Sequence, residues 1–351
     1  MNIYEIDKNL KVESDVKRDG LVFFDIKNAP VSIHGVFYEN GWTRVPRAVA
    51  ESVNGGVLHH SRSTAGGRVR FITDSPYVVI KTVQERSLGL GHMAPSGQAG
   101  FDLYVNEGEG DRYEHTFVPP YNISGGYDGV SDFADSRERV CTINFPLYHD
   151  VRELYIGVKA GSVLKKAPDY EIKTPIVFYG SSITQGGCAS RSGNSYQGFL
   201  SLKYGFDYIN LGFSGSARGE ESMAKYIASL EMSAFVYDYD YNAPTAEHLK
   251  ETHEPFYKII RDAHPKIPVL FMSRPDIYLT EEETERKNTV YETYLAAKAR
   301  GENVYHIFGS ELLALCGNDG TVDGVHPNDL GFFSMAARMS AEFDKFICEL
   351  R

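Results

Sequence analysis

The hydrophobic pattern of the chain changes character near residue 170. Before it, short alternating or β-branched runs recur with turn residues between them, at 67–83, 101–105, 139–145 and 153–159. Many short strands without helical periodicity predict an antiparallel β-sandwich or jelly roll. We therefore predict an all-β first domain over residues 1–165.

After residue 175 strand-like apolar runs alternate with segments of helical periodicity. The predicted strands are 175–180, 207–212, 234–239, 267–272 and 303–308, and the predicted helices are 195–204, 219–231, 245–263, 281–300 and 328–348. Such alternation implies right-handed crossovers and a parallel, doubly wound sheet. We predict a second, α/β domain with a five-stranded parallel sheet at 175–351, after a linker at 166–174.

Composition and charge narrow the class of protein. The chain has 351 residues with 42% hydrophobic and 24% charged content, as expected for a globular protein. A formal net charge of −11 argues against nucleic acid as a partner. The first residues lack the pattern of a secretory signal, and no run of about 18 apolar residues predicts a membrane span. The four cysteines have no metal-ligand spacing, so we expect reduced thiols and a cytoplasmic location.

Polar blocks follow the predicted parallel strands. They contain Ser182, Gly215, Asn242 and, before the last helix, Asp323 with His326. Singly, each has an ordinary structural explanation, such as a helix cap, a tight turn or an Asx turn. Ligands bind at the carboxyl ends of strands in open α/β sheets, so the whole set favours a catalytic site.

Serine hydrolysis requires a nucleophile, a base, a residue that orients the base, and donors for an oxyanion. Ser182 is the candidate nucleophile, His326 the base and Asp323 its orienting partner. The candidate oxyanion hole consists of the N–H groups of Ser182 and Gly215 and the side-chain amide of Asn242.

These blocks resemble those of the SGNH hydrolases, also called the GDSL esterase/lipase superfamily. The resemblance implies that Ser182, Gly215, Asn242 and His326 are its four named residues, with Asp323 completing the triad. The sequence departs from the family pattern in three places: Ser181 stands where Asp is usual, Asp240 where Gly is usual, and Ala243 where Asp is usual.

Residues 100–104, with the sequence GFDLY, resemble the GxDLY motif of a β-sandwich domain that precedes some SGNH hydrolases. The combination is similar to that of two-domain carbohydrate acetyl esterases. The family resemblance implies a three-layer α/β/α catalytic domain and no metal or organic cofactor.

Five residues are candidates for substrate contact, because sugars need charged, amide or aromatic partners. His92 and Gln98 lie in a Gly-rich loop, where they are alternatively solvated loop residues; Arg191 and Tyr196 follow the nucleophile block. Arg274 follows the fourth predicted parallel strand, and its alternative role is a salt bridge that braces the domains.

The function predicted from these features is that of a serine esterase removing O-acetyl groups from carbohydrate, such as mannan or xylan fragments. The alternatives are a lipase or thioesterase acting on longer acyl chains, and a carbohydrate-binding protein without catalytic activity. The expected partner is an acetylated oligosaccharide or another small ester, with neither nucleic acid nor membrane. Monomer and homo-oligomer both remain open.

Overall fold

The computed structural model describes residues 15–276 and 278–351. Residues 1–14, at the start of the predicted first domain, lie outside the described residues, as does the stretch that carried the prediction about a secretory signal. Within the described ranges, no helix is long and apolar enough to cross a membrane.

Residues 15–166 contain antiparallel sheets, as the sequence predicted. The strands are β1 (Leu21–Asp25), β2 (Ser32–His34), β3 (Phe37–Tyr38), β4 (Trp42–Thr43), β5 (Arg68–Thr73), β6 (Tyr77–Val83), β7 (Phe101–Asn106), β8 (Arg112–Phe117), β9 (Tyr127–Asp132), β10 (Arg139–Asn144), β11 (Glu153–Lys159) and β12 (Leu164–Lys166). One sheet has the order β1-β11-β6-β9, and the other has β12-β5-β10-β7-β8 with β2 paired to β5. The alternating apolar side chains form a shared core in which Phe71, Ile80, Leu103 and Ile156 are fully buried.

The prediction of β structure throughout this region was wrong in part. Between residues 15 and 166 it contains three short helices, α1 (Arg47–Val53), α2 (Gly55–His60) and α3 (Pro95–Gln98). Asn54 caps α2 by accepting a hydrogen bond from the N–H of Val57.

The remaining residues form the predicted parallel sheet and its helices. The strands are β13 (Ile172–Gly180), β14 (Phe206–Gly212), β15 (Ala234–Asp238), β16 (Val269–Met272) and β17 (Val304–Ile307), in the order β14-β13-β15-β16-β17. The helices are α4 (Ser182–Gln185), α5 (Tyr196–Tyr204), α6 (Glu221–Ala228), α7 (Ala246–Ala263), α8 (Glu281–Ala299), α9 (Gly309–Leu312) and α10 (Asp329–Phe343). Short 3-10 helices occupy Ser192–Asn194, Asp240–Asn242, Gly317–Gly320 and Ile347–Leu350. Separate apolar clusters on the two faces of the sheet account for its continuous hydrophobic strands.

Two arginines from the β-sandwich cover the free edge of this parallel sheet. The guanidinium of Arg44 donates hydrogen bonds to the carbonyls of Asn210 and Gly212, at 2.9 and 2.8 Å, and Arg68 donates to the carbonyl of Tyr208 at 2.9 Å. These three carbonyls belong to alternate residues of the edge strand β14, and they would otherwise lack partners. Both arginines are buried. The β-sandwich half and the parallel sheet are therefore held together by hydrogen bonds that are shielded from water.

Candidate active site

Three neighbouring strands of the parallel sheet end at one level. Gly180, the last residue of the central β13, pairs with Gly212 of β14 on one side and with Asp238 of β15 on the other. The loops that follow these strands carry Ser182, Gly215 and Asn242. The register therefore gathers the three predicted residues at the carboxyl edge of the sheet.

Ser182 opens the short helix α4, directly after the β13 strand. The hydroxyl of the preceding Ser181 accepts the N–H of Ile183 at 3.1 Å and so caps this helix. Of the two adjacent serines, Ser181 thus uses its hydroxyl in a hydrogen bond with the backbone. The Ser182 hydroxyl instead lies 3.0 Å from Nε2 of His326.

His326 is held in turn by Asp323. Its Nδ1 lies 2.8 Å from Oδ2 of the carboxylate, and Oδ1 accepts the backbone N–H groups of Val325 and His326. Partial burial opposes ionisation of Asp323, but these hydrogen bonds lower the pKa of its carboxyl group to about 2. The carboxylate therefore stays ionised at neutral pH and favours the tautomer in which Nε2 of His326 accepts a proton from Ser182.

Two N–H groups and one side chain form the predicted oxyanion hole. Within the described part of the chain, neither the N–H of Ser182 nor that of Gly215 donates a hydrogen bond, so both remain available. Gly215 has a φ of +63°, which a glycine adopts without strain. Asn242 ends a 3-10 helix, and its buried side-chain oxygen has no hydrogen-bond partner among the described residues. The role of all three as oxyanion donors stays a prediction.

His92 lies against His326. The ring centroids of His92 and His326 are 5.6 Å apart, and the loop that carries His92 belongs to the β-sandwich half of the chain. His92 is exposed to solvent. Of the five candidates for substrate contact, it is the one that the structure places beside the triad.

Gln98 holds the same loop from inside instead of facing a substrate. Its side-chain oxygen accepts the N–H groups of Gly89 and Leu90, and its side-chain nitrogen donates to the carbonyls of Leu90 and Met93. The side chain is 4% exposed, so all of its hydrogen-bonding capacity is used within the protein. The structure thus contradicts the predicted substrate contact and gives Gln98 the task of shaping the loop around His92.

Arg191 braces the two halves of the chain. It pairs with the fully buried carboxylate of Asp102 at 2.9 Å, donates to the hydroxyl of Tyr104 at 2.7 Å and stacks over the ring of Tyr113. Asp102 and Tyr104 belong to the GFDLY sequence. The motif is therefore an anchoring point for the nucleophile loop, and Arg191 is not free to contact substrate.

Tyr196 and Arg274 also have structural partners. Tyr196 is fully buried against Phe178, which excludes the predicted contact with substrate. Arg274 forms ion pairs with Asp276 and Glu283 at 3.0 and 2.7 Å, and its guanidinium lies over the ring of Tyr241. All of these partners belong to the hydrolase half of the chain, so Arg274 does not brace the two domains, and its contact with substrate stays a prediction.

Sequence reasoning missed the contacts that the β-sandwich half makes with helix α4, which begins at Ser182. The hydroxyl of Tyr148, from the β-sandwich half, donates to the carbonyl of Ser182 at 3.1 Å. The amide of Gln185 donates to the carbonyl of Leu147 and accepts the N–H of Ser214, one residue before Gly215. No sequence motif predicts these contacts, because they depend on how one half of the chain packs against the other.

Two buried carboxyl groups lie below the site. Asp238 and Asp240 are 2% and 0% exposed, and Thr184 donates a hydrogen bond to Asp238. Burial raises the pKa of Asp238 well above its usual value, with a further contribution from the charge of Asp240. Burial likewise raises the pKa of Asp240 to about 6, although the N–H and the charge of Arg274 oppose this shift.

Solved structures share this two-part architecture. A GDSL-like lipase from Bacteroides ovatus is 27% identical, with a TM-score of 0.83 over 94% of this chain and 98% of that one. The salicylyl-acyltransferase SsfX3 from a tetracycline biosynthetic pathway is 16% identical, with a TM-score of 0.77 over 94% and 98%. A family two carbohydrate esterase from Clostridium thermocellum, in complex with cellohexaose, is 15% identical, with a TM-score of 0.61 over 90% and 98%. No curated protein matches the sequence significantly.

Two sequence families match successive parts of the chain. Residues 21–164 match the GxDLY family, described as the N-terminus of SGNH-hydrolase-type esterases. Residues 173–343 match the GDSL-like lipase/acylhydrolase family. The two matches are adjacent and together span most of the chain. The protein is therefore a carboxylic ester hydrolase of the GDSL/SGNH family that carries a GxDLY domain before its hydrolase domain.

Proposed function

We propose that this esterase removes acetyl groups from carbohydrate through an acyl-enzyme on Ser182. The observation that carries the proposal is the hydrogen-bonded chain from Asp323 through His326 to Ser182. It supplies an oriented base for a hydroxyl nucleophile, which is the arrangement that acyl transfer requires.

In the proposed reaction, His326 takes the proton of Ser182 as its Oγ attacks the acetyl carbonyl. Negative charge on the carbonyl oxygen is stabilised by the N–H groups of Ser182 and Gly215 and by Asn242, at about 3 kcal/mol for each donor. His326 then gives its proton to the leaving sugar oxygen, and a water molecule, deprotonated by His326, releases acetate by the same route.

Two observations support a short acyl group on a sugar. The three residues after Ser182 in helix α4, Ile183, Thr184 and Gln185, are each 1% exposed or less. Because their side chains are packed into the protein, no acyl groove runs inward at this helix. The outer side of the triad is polar, with His92 exposed beside His326. The likeness to a carbohydrate esterase that binds cellohexaose adds support from the shared fold.

One feature favours the alternative of longer acyl chains. Val322 and Leu330 lie one residue before Asp323 and four residues after His326, and they are 45% and 50% exposed. Phe333, one turn further along α10, is 54% exposed. An acyl chain longer than acetyl could contact these exposed apolar side chains near Asp323 and His326.

Acetate release from acetylated mannan and xylan oligosaccharides, beside nitrophenyl esters from acetyl to octanoyl, tests the proposal. Ser182→Ala and Ser181→Ala form a matched pair, since each removes one hydroxyl from adjacent residues. We expect only Ser182→Ala to abolish turnover, and rates on nitrophenyl esters to fall beyond acetyl. Rates that rise with chain length while the glycans stay acetylated would support the lipase alternative. Glycan binding without any turnover by the wild type would support a non-catalytic binding protein.

A further inference from the structure

Three metal-ligating side chains converge at the mouth of the site. His92, Asp323 and His326 each have a ligating atom within 4.8 Å of those of the other two. The side chains of Asp323 and His326 are 37% and 24% exposed, and His92 is exposed. A hydrated ion can therefore reach all three without any movement of the backbone.

Two imidazoles and one carboxylate form a ligand set that suits zinc. Zn²⁺ binds three such side chains and a water molecule, with Zn–N distances of about 2.0–2.1 Å. Tetrahedral geometry at that distance puts the centroids of two imidazole rings about 5 Å apart. The centroids of His92 and His326 are 5.6 Å apart, which is close to that value. Mg²⁺ and Ca²⁺ prefer oxygen ligands, so a set with two imidazoles should bind them poorly.

We propose that Zn²⁺ binds reversibly to His92, Asp323 and His326 and inhibits the esterase, an inference that rests on the proposed function of the triad. The ion binds Nδ1 of His326, the nitrogen that faces Asp323, and takes the place of the hydrogen bond between the two residues. The proton of the imidazole then stays on Nε2, which can no longer accept the proton of Ser182.

The position of His92 gives the inhibition a distinctive origin. Asp323 and His326 belong to the hydrolase domain, whereas His92 comes from a loop of the GxDLY domain. Without His92 the triad offers the ion two ligands that are already bonded to each other. Zinc sensitivity is thus a property that the first domain adds to the second.

Zinc titration of nitrophenyl acetate hydrolysis by chelator-stripped protein tests the inhibition. The rate of each variant is normalised to its own metal-free rate. For His92→Ala we expect the half-inhibitory concentration to rise about tenfold or more. The control His264→Ala, whose imidazole bonds the carbonyl of Ala228 at the other end of the sheet, should behave as the wild type. EDTA should restore activity, and Mg²⁺ or Ca²⁺ should have no effect. Equal inhibition of the wild type and His92→Ala would overturn the proposal.

Calorimetric titration of Zn²⁺ into Ser182→Ala tests the site without reference to activity. This variant keeps all three ligands, and we expect one ion per chain, lost when His92→Ala is added. Binding that persists in the double variant would refute the site. Zinc binding that depends on His92, in a protein whose wild type hydrolyses no ester, would leave the site standing and refute both the proposed function and the inhibitory role.

Discussion

The hydroxyl of Tyr148 donates a hydrogen bond of 3.1 Å to the carbonyl of Ser182, so a residue of the GxDLY domain holds the backbone at Ser182. Burial raises the pKa of this phenol far above its usual value, which keeps the proton in place for donation. The backbone of Ser182, the predicted nucleophile, is thus held by both domains.

Replacing Tyr148 by Phe removes this bond and keeps the ring. We expect kcat to fall by about three- to tenfold with little change in KM, because one hydrogen bond contributes roughly 0.5–1.5 kcal/mol and the ester is bound elsewhere. Tyr77→Phe is the matched control, since its hydroxyl also donates to a backbone carbonyl, that of Asp19, within the β-sandwich. An unchanged kcat in Tyr148→Phe would show that the bond does not position Ser182.

Asn242→Ala removes one predicted oxyanion donor. We expect kcat to fall by about 10²- to 10³-fold while KM changes little, because the donor acts on charge that develops only in the transition state. Asn303→Ala, an amide at the opposite end of the sheet, serves as control in steady-state kinetics. A similar loss in both variants would remove Asn242 from the oxyanion hole.

Arg191→Ala leaves the buried carboxylate of Asp102 without its ion pair. Breaking a buried pair from one side costs about 3 kcal/mol or more of the free energy of unfolding. Arg47→Ala breaks an exposed pair with Glu51 and should cost less than about 1 kcal/mol. Urea unfolding of both variants measures the difference, and equal losses would contradict a bracing role for Arg191.

Asp240 makes stability depend on pH. Because burial raises its pKa from 3.8 to about 6, the folded state binds this proton more tightly than the unfolded state. The resulting stabilisation is complete below about pH 4 and is lost as the pH rises through about 6, with a total on the order of 3 kcal/mol. Asp240→Asn cannot ionise, so we expect its stability relative to the wild type to increase by that amount from pH 4 to pH 7. Urea unfolding at both pH values measures the change, and a constant difference would rule out the titration of Asp240.

The architecture could be predicted from the sequence where the local periodicity of apolar residues decides between helix and strand. The five parallel strands and the main helices are confirmed because their apolar periodicity agrees with their burial. The helices at Arg47–Val53 and Gly55–His60 were missed, although Pro46 and Asn54 at their starts are recognisable helix-start signals.

The site could be predicted only in part, because some of its residues belong to sequence motifs and others are placed by tertiary packing. Ser182, Asp323 and His326 carry a motif, and the structure joins them in one hydrogen-bonded chain, while their catalytic role stays a prediction. Tyr148 and Gln185 carry none, since their roles arise from contacts between distant segments. Arg191 and Tyr196 stand near the nucleophile in sequence, but packing uses one as a brace and buries the other. The cytoplasmic location also stays a prediction.

The arginines that cover strand β14 have a consequence for how the hydrolase domain exists on its own. Expressed without residues 15–166, it would present the carbonyls of Tyr208, Asn210 and Gly212 along a bare strand edge. Such an edge is a template on which another chain adds a strand, so the separated domain should self-associate into aggregates. We therefore expect Arg44 and Arg68 to protect the hydrolase domain against aggregation, so that this domain depends on the first domain to stay in solution.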